Sequence, residues 1–435
     1  MYKIVSRLLI YGEMPQDTIL MQLADIIRKM DDGSQTKEEL VSRVFTQIKH
    51  LLQVATDYGF DKNLWHNYLT FLLITNENPF SLTCEKVGAN EGSVNHFAKG
   101  DFRVFKELFD YDFSRLETYL GVDCFSRISD YRAIGKKELM YNKNVSEKVQ
   151  ALSLKLEQAE DEEAFFACVT GFYKDFGVGM FGLNKAFRIL SGDNGSVQFC
   201  AINNMDTVML DDLIGYEIQK KKLIDNTRAF VEGRKANNVL LFGDSGTGKS
   251  TSVKAIVNEF YPQGLRMIEI YKHQFKDLSA VIAQIKNRNY RFVIYMDDLS
   301  FEEFEVEYKF LKAVIEGGVE TRPDNILIYA TSNRRHLIKE TWSDRDDVVN
   351  DNGMHRSDTM EEKLSLVNRF GVTINYSKPT QKEYFHIVIE LAKKAGLTMS
   401  DKELCAEANK WELSHGGISG RTAQQFINYL LGQAE

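Results

Sequence analysis

Apolar residues over the first 205 positions recur at helical spacing. Ile19, Leu20, Leu23, Ile26, Ile27 and Met30 fall on one face of a predicted helix. Leu40, Val41, Val44, Ile48, Leu51 and Leu52 fall on one face of a second, which Thr36 and Glu39 precede at capping-box spacing. Further helices are predicted over 146–159 and 161–176. These stripes read as core packing rather than as a cofactor box, because amphipathic helices commonly bury one face. Between 79 and 100 the periodicity is poor and a loop-rich stretch is expected. The cluster SGDNGS at 191–196 is a turn signal, and the first domain is expected to end near it.

The pattern then changes. Short apolar runs at 239–242, 266–271, 292–296, 326–331 and 372–376 alternate with helical segments. Such alternation predicts an α/β fold with a parallel, five-stranded sheet covered on both faces. After Pro379 only helical patterns remain, opening with Thr380 and Glu383 at capping-box spacing. The expected organisation is a mainly helical domain over 1–205, serving a partner or assembly, an α/β core over 206–377 and a small helical domain over 378–435.

Composition narrows the function classes. The 435 residues are 43% hydrophobic and 27% charged, as in soluble globular proteins. The net charge is −8, of which residues 1–205 carry about −5, so neither part is a basic nucleic-acid footprint. Only a local basic cluster could serve nucleic acid. Cys84, Cys124, Cys168, Cys200 and Cys405 are scattered without C-x-x-C spacing, which argues against zinc and a disulfide framework and for a reducing compartment. No apolar run nears the ~20 residues of a membrane span. A cytoplasmic protein without a membrane partner is expected.

The chemistry starts at 243–250, GDSGTGKS, which satisfies G-x-x-x-x-G-K-[ST] between a predicted strand and a predicted helix. Gly243, Gly246 and Gly248 let the backbone turn tightly. The N–H groups along Gly243, Asp244, Ser245, Gly246, Thr247, Gly248, Lys249, Ser250 and Thr251 can then face an anion at a helix N-terminus. Lys249 is expected to reach the β- and γ-phosphates, and Ser250 to ligate Mg²⁺.

The run 292–296 ends in Asp297 and Asp298, 48 residues after Lys249. A buried strand delivering carboxylates to its C-terminal end suits the Walker B role. Asp297 would hold the metal and Asp298 would polarise the attacking water. The run 326–331 ends in Thr-Ser-Asn333, whose amide can orient that water; Asn and Ser also favour strand-terminal turns on their own account. Arg369 in LSLVNRFG and Arg421 in GISGRTA adjoin helices, where an arginine also serves as a surface cap or ion-pair partner.

Taken together, NNVLLFGDSGTGKS, DDLSFEE, IYATSNRRHLI and SGRTAQQF resemble a bacterial ATP-binding family catalogued as domain of unknown function 815, within the AAA+ ATPase superfamily. The resemblance covers roughly 206–435. It implies a P-loop core with a helical C-terminal lid, and ATP with Mg²⁺ as ligands. It places Leu213-Ile-Gly215-Tyr216 against adenine. It implies that Asn333 is the sensor 1 residue, Arg421 sensor 2, and Arg369 an arginine finger completing a neighbouring subunit's site, hence a homo-oligomer. The Asp297-Asp298 pair departs from the usual Asp-Glu. Glu302 or Glu303 could substitute, or could form a solvated helix start. The expected function is an oligomeric ATPase that couples ATP binding and hydrolysis to remodelling of an unknown macromolecular partner, with an unknown protein as the partner expected. The alternative is a slowly hydrolysing switch or loader that recruits one. A third reading, DNA association through the lid, lacks support in the charge. Arg334-Arg335-His336 reads as a helix-start surface. The polar insertion 342–360, with Asp344, Asp346, Asp347 and His355, reads as a solvated loop.

Overall fold

The computed structural model describes residues 1–134, 142–192, 196–203, 205–301, 307–316, 323–333 and 366–433. Glu302, Glu303, Arg334, Arg335, His336 and the insertion 342–360 lie outside the described residues. The chain divides into two compact units, Met1–Asn184 and Lys185–Glu435. No helix among the described residues is long and apolar enough to cross a membrane.

The first unit is built from helices, the longer ones being Ile19–Asp32, Lys37–Tyr58, Leu64–Thr75, Val94–Phe109, Lys143–Glu157 and Glu162–Phe176. The capping box forms: Thr36 and Glu39 each take the other's backbone N–H on a side-chain oxygen. The predicted faces bury Leu20, Leu23, Ile26, Leu40 and Val44, while Leu52 turns partly outward at 37% exposure. In its core Phe102 meets Phe80 edge-on and Phe165 at a tilt, with centroids 5.8 and 5.7 Å apart. The buried Asp101 carboxylate accepts the N–H groups of Leu9, Ile10 and Tyr11 at 2.9, 2.8 and 2.9 Å, tying the N-terminal segment to this core.

The expected loop-rich stretch at 79–100 is instead largely helical, with a helix at Pro79–Val87 and another from Val94. Asn78 and Ser81 cap the first reciprocally, at 2.8 and 2.9 Å, and Pro79 occupies its first turn. Its buried face mixes Phe80 and Cys84 with Ser81 and Glu85, so the stripe is hidden in the sequence. The Glu85 carboxylate is satisfied by the Val178 N–H at 3.0 Å. The helix Leu64–Thr75 carries no stripe because it is buried on most sides, through Trp65, Tyr68, Leu69, Leu73 and Ile74.

The second unit holds a seven-stranded sheet. Its strands are β1 (Ala186–Ser191), β2 (Val197–Ala201), β3 (Val239–Gly243), β4 (Leu265–Glu269), β5 (Arg291–Met296), β6 (Ile326–Ser332) and β7 (Val372–Tyr376), in the order β2-β1-β4-β5-β6-β3-β7. The expected five strands run parallel as β4-β5-β6-β3-β7. The hairpin β1–β2 extends this core on one edge, with β1 parallel to β4 and antiparallel to β2. The turn signal at 191–196 therefore joins two strands rather than closing a domain. For the same reason the break between units falls at 184/185 and not at 205/206, because the hairpin's backbone hydrogen bonds belong to the sheet.

The central strands are buried along almost their whole length, as covered parallel strands must be. Three helices, Gln381–Lys394, Asp401–Ser414 and Gly420–Gln433, form the C-terminal lid around Tyr384, Val388, Leu404, Ala408 and Phe426. The Thr380–Glu383 capping box forms at the lid's start. The second unit is thus a mainly parallel α/β core carrying the phosphate-loop motif, followed by a small helical bundle, and a helical unit precedes it in the chain.

Candidate nucleotide site

The chain leaves β3 for β4, which lies beyond β5 and β6, and reaches the opposite side of β3 only at β7. Ligands sit outside the carboxyl ends of strands at such a reversal. GDSGTGKS occupies that place, and the helix Lys249–Phe260 follows it. Gly243 has φ of 129°, and a Cβ there would lie 2.2 Å from the Tyr376 carbonyl oxygen, so β7 approaches the loop closely only because residue 243 is glycine. Gly246 and Gly248 also carry positive φ, 76° and 89°.

Lys249 is 6% exposed. Its Nζ donates to the carbonyl oxygens of Gly243 and Asp244, at 3.0 and 2.6 Å, and to Asn333 Oδ1 at 3.0 Å. Burial lowers its pKa, opposed by the nearby carboxylates of Asp244, Asp298 and Asp297. Ser250 Oγ donates to Asp297 Oδ1 at 2.7 Å. Thr331 Oγ1, at 2.5 Å, and the Tyr295 hydroxyl, at 2.7 Å, donate to the same oxygen. Desolvation alone would raise the Asp297 pKa, but these three hydrogen bonds outweigh it and hold the carboxyl below its usual value. Asp298 adopts φ of 50°; its N–H donates to Thr331 Oγ1 at 2.9 Å, and its Oδ1 accepts from Asn333 Nδ2 at 2.7 Å. Asn333 thus bridges Lys249 and Asp298.

The lid closes directly on the phosphate loop. The Arg421 N–H donates to the Gly246 carbonyl at 3.1 Å, and a Cβ at Gly246 would sit 3.0 Å from Ser419 Oγ. The Arg421 guanidinium lines the cleft without a hydrogen bond or ion pair to any described residue. Gly215 and Tyr216, with φ of 81° and 58°, turn the segment ahead of the helix Glu217–Val231. The Tyr216 hydroxyl donates to the Ser377 carbonyl at 3.0 Å. Gly215 does not itself line the cleft; it shapes the turn that presents Leu213, Ile214 and Tyr216.

The cleft encloses about 900 Å³. Ser245, Gly246, Thr247, Gly248, Lys249, Ser250 and Thr251 line one end with Asp297, Asp298, Asn333 and Arg421. Leu213, Ile214, Ile387, Leu391 and Ile427 wall the other. Gly243 and Asp244 stand behind the loop, where the Asp244 carboxylate accepts the Lys378 N–H at 2.8 Å. This combination of a cationic, N–H-rich end and an apolar slot suits a triphosphate bearing a planar base. The hard oxygens of Ser250 and Asp297, side by side, fit magnesium, which takes few protein ligands and keeps several waters.

Arg369 is not part of this cleft. It precedes the N-terminal end of β7, whereas the phosphate loop leaves the C-terminal end of the neighbouring β3. Five paired residues separate the two levels, about 16 Å along the strands. Tyr295 and Thr331 belong to no motif; in the sequence each is only a hydroxyl-bearing residue inside an apolar run. Ile387, Leu391 and Ile427 have the spacing of ordinary helix-core residues, and only the folded lid brings them to the cleft.

Residues 183–434 match the model of a family described as "Protein of unknown function (DUF815)". No curated protein matches the chain. Solved structures similar to it include the RuvB Holliday junction branch migration motor of Thermotoga maritima, at 18% identity and a TM-score of 0.32, covering 51% of this chain and 72% of that one. PCH-2 of C. elegans is similar at 15% identity and a TM-score of 0.36, covering 52% and 65%. The FIGL-1 AAA domain in complex with ADP is similar at 18% identity and a TM-score of 0.36, covering 52% and 73%.

Proposed function

This chain belongs to the DUF815 family, and from that premise and the cleft's chemistry we propose that it binds ATP with Mg²⁺ and hydrolyses it as a homo-oligomer. The observation that carries the reading is the convergence of Lys249, Ser250, Asp297 and Asn333 through direct hydrogen bonds at the mouth of one cleft. When bound, magnesium would neutralise charge on the β- and γ-oxygens. Ser250 and Asp297 would hold it. Lys249 would exchange its carbonyl partners for phosphate oxygens, and Arg421 would reach the same charge from the lid. Asn333 and Asp298 together would orient the attacking water, with Asp298 accepting its proton.

Hydrolysis is proposed to move the lid, which touches the loop at Gly246, and so to remodel a protein partner. The first unit supports partner binding: its helix Lys37–Tyr58 presents Phe45, 51% exposed, and Leu52, 37% exposed, on one face. The net charge of −8 gives nucleic acid no support. Calorimetric titration with Mg²⁺-ATP is expected to give a saturable heat. No heat with any adenine or guanine triphosphate would remove the proposal.

One observation favours the second reading, a slowly hydrolysing switch or loader. Asp298, already one methylene shorter than glutamate, has an oxygen engaged by Asn333 at 2.7 Å. Under this reading Asp298→Glu is expected to raise steady-state ATP turnover severalfold, because the longer side chain brings the base closer to the γ-phosphate side. Equal or lower turnover, measured by phosphate release, would mean that the site is built around aspartate.

A further inference from the structure

Strand β5 carries a hydroxyl at its penultimate residue, inside an apolar layer. Tyr295 is 1% exposed and packs in the core that holds Val239, Leu241, Val253 and Tyr329. A phenylalanine would fill the same space without the cost of burying a polar oxygen. The Tyr295 hydroxyl instead reaches Asp297 Oδ1 at 2.7 Å, where Thr331 Oγ1 and Ser250 Oγ also donate, at 2.5 and 2.7 Å. All three hydroxyls converge on Oδ1 and none on Oδ2. A carboxylate torsion is ordinarily broad and two-fold. Donors anchored in β5 and β6 remove that freedom.

Resting on the nucleotide reading above, we propose that Tyr295 is a positioning residue for the metal. Its buried hydroxyl locks the Asp297 carboxylate so that Ser250 and Asp297 meet the ion in one arrangement. Outer groups that orient a metal's ligands typically change metal affinity by about 10–100-fold when removed. Thr331 remains in place when Tyr295 is altered, so the effect falls at the lower end of that range.

The test is Tyr295→Phe in the full chain, with Mn²⁺ as the probe and a non-hydrolysable ATP analogue present. Mn²⁺ binding is followed by electron paramagnetic resonance. The expected result is about a tenfold weaker Mn²⁺ affinity, with analogue affinity in EDTA unchanged. Tyr329→Phe is the control. It removes another buried hydroxyl of the same core, bonded to Thr227 at 2.7 Å and distant from Asp297 in the hydrogen-bond pattern. It is expected to leave Mn²⁺ affinity as in the parent protein. Parent-like Mn²⁺ binding by Tyr295→Phe overturns the inference, as does an equal loss in the control. If the parent protein binds the analogue but gains no Mn²⁺ with it, the metal assignment of Ser250 and Asp297 falls as well. If it binds no analogue at all, the nucleotide reading itself fails.

Discussion

Replacing Arg369 by alanine is expected to lower ATP turnover by about 10³-fold, the lower end of the range for an arginine supplied to phosphoryl transfer, while ATP affinity stays within about twofold. The expectation rests on position. Arg369 stands before β7 at the N-terminal side of the sheet, and the chain's own cleft opens at the C-terminal side. The Arg369 backbone lies about 16 Å down the strands from the phosphate loop, and Arg369 does not line the cleft of its own subunit. On the proposed reading it serves a neighbouring copy, where a charge meeting the γ-phosphate in the transition state would speed the chemistry without tightening ground-state binding. Mixing is the decisive measurement. Arg369→Ala subunits keep an intact cleft, and Lys249→Ala subunits keep the arginine. Each alone is expected to be inactive, and their mixture to recover turnover. No recovery from subunits shown to co-assemble would refute action in trans.

Lys249→Ala is expected to weaken ATP binding by at least about 100-fold, roughly 3 kcal/mol. The ammonium is held by two loop carbonyls and Asn333 at 2.6–3.0 Å, so its stem is ordered before any ligand arrives. Exchanging neutral carbonyls for a triphosphate turns ammonium–dipole contacts into hydrogen bonds between opposite charges, each worth on the order of 1.5–3 kcal/mol. Burial of Lys249 and the depressed pKa that follows fit a cation held out of bulk water, where charge counts for more. Calorimetry measures the affinity, and far-UV circular dichroism checks that the variant remains folded. Affinity equal to that of the parent chain would strip Lys249 of its role.

Local chemistry was readable from residue order alone. The phosphate loop depends on glycines at fixed spacing, and its backbone conformation follows from those glycines wherever the loop is placed. Asp297 and Asn333 were visible because long apolar runs end there, and a covered parallel strand must be apolar until it reaches the sheet's edge. The capping boxes at Thr36 and Thr380 were visible because each sets a Thr three residues before a Glu at the start of an apolar stripe.

Other features depend on partners far away in the chain. The hairpin β1–β2 was hidden because its strands are short and gain stability only by joining β4 through hydrogen bonds to residues some eighty positions on. The helix at Pro79–Val87 was hidden because its buried face includes Glu85, which is tolerable only where the distant Val178 N–H satisfies it. The convergence of Tyr295, Thr331 and Ser250 on one oxygen of Asp297 joins β5, β6 and the phosphate loop, and no spacing rule spans those distances. What the sequence by itself determined is the set of groups able to handle a triphosphate, because each motif is closed within about eight residues. What only the tertiary structure decided is which of them share a cleft and that Arg369 does not. Those relations follow from strand order and direction, which are settled by packing and hydrogen bonding between segments rather than within them.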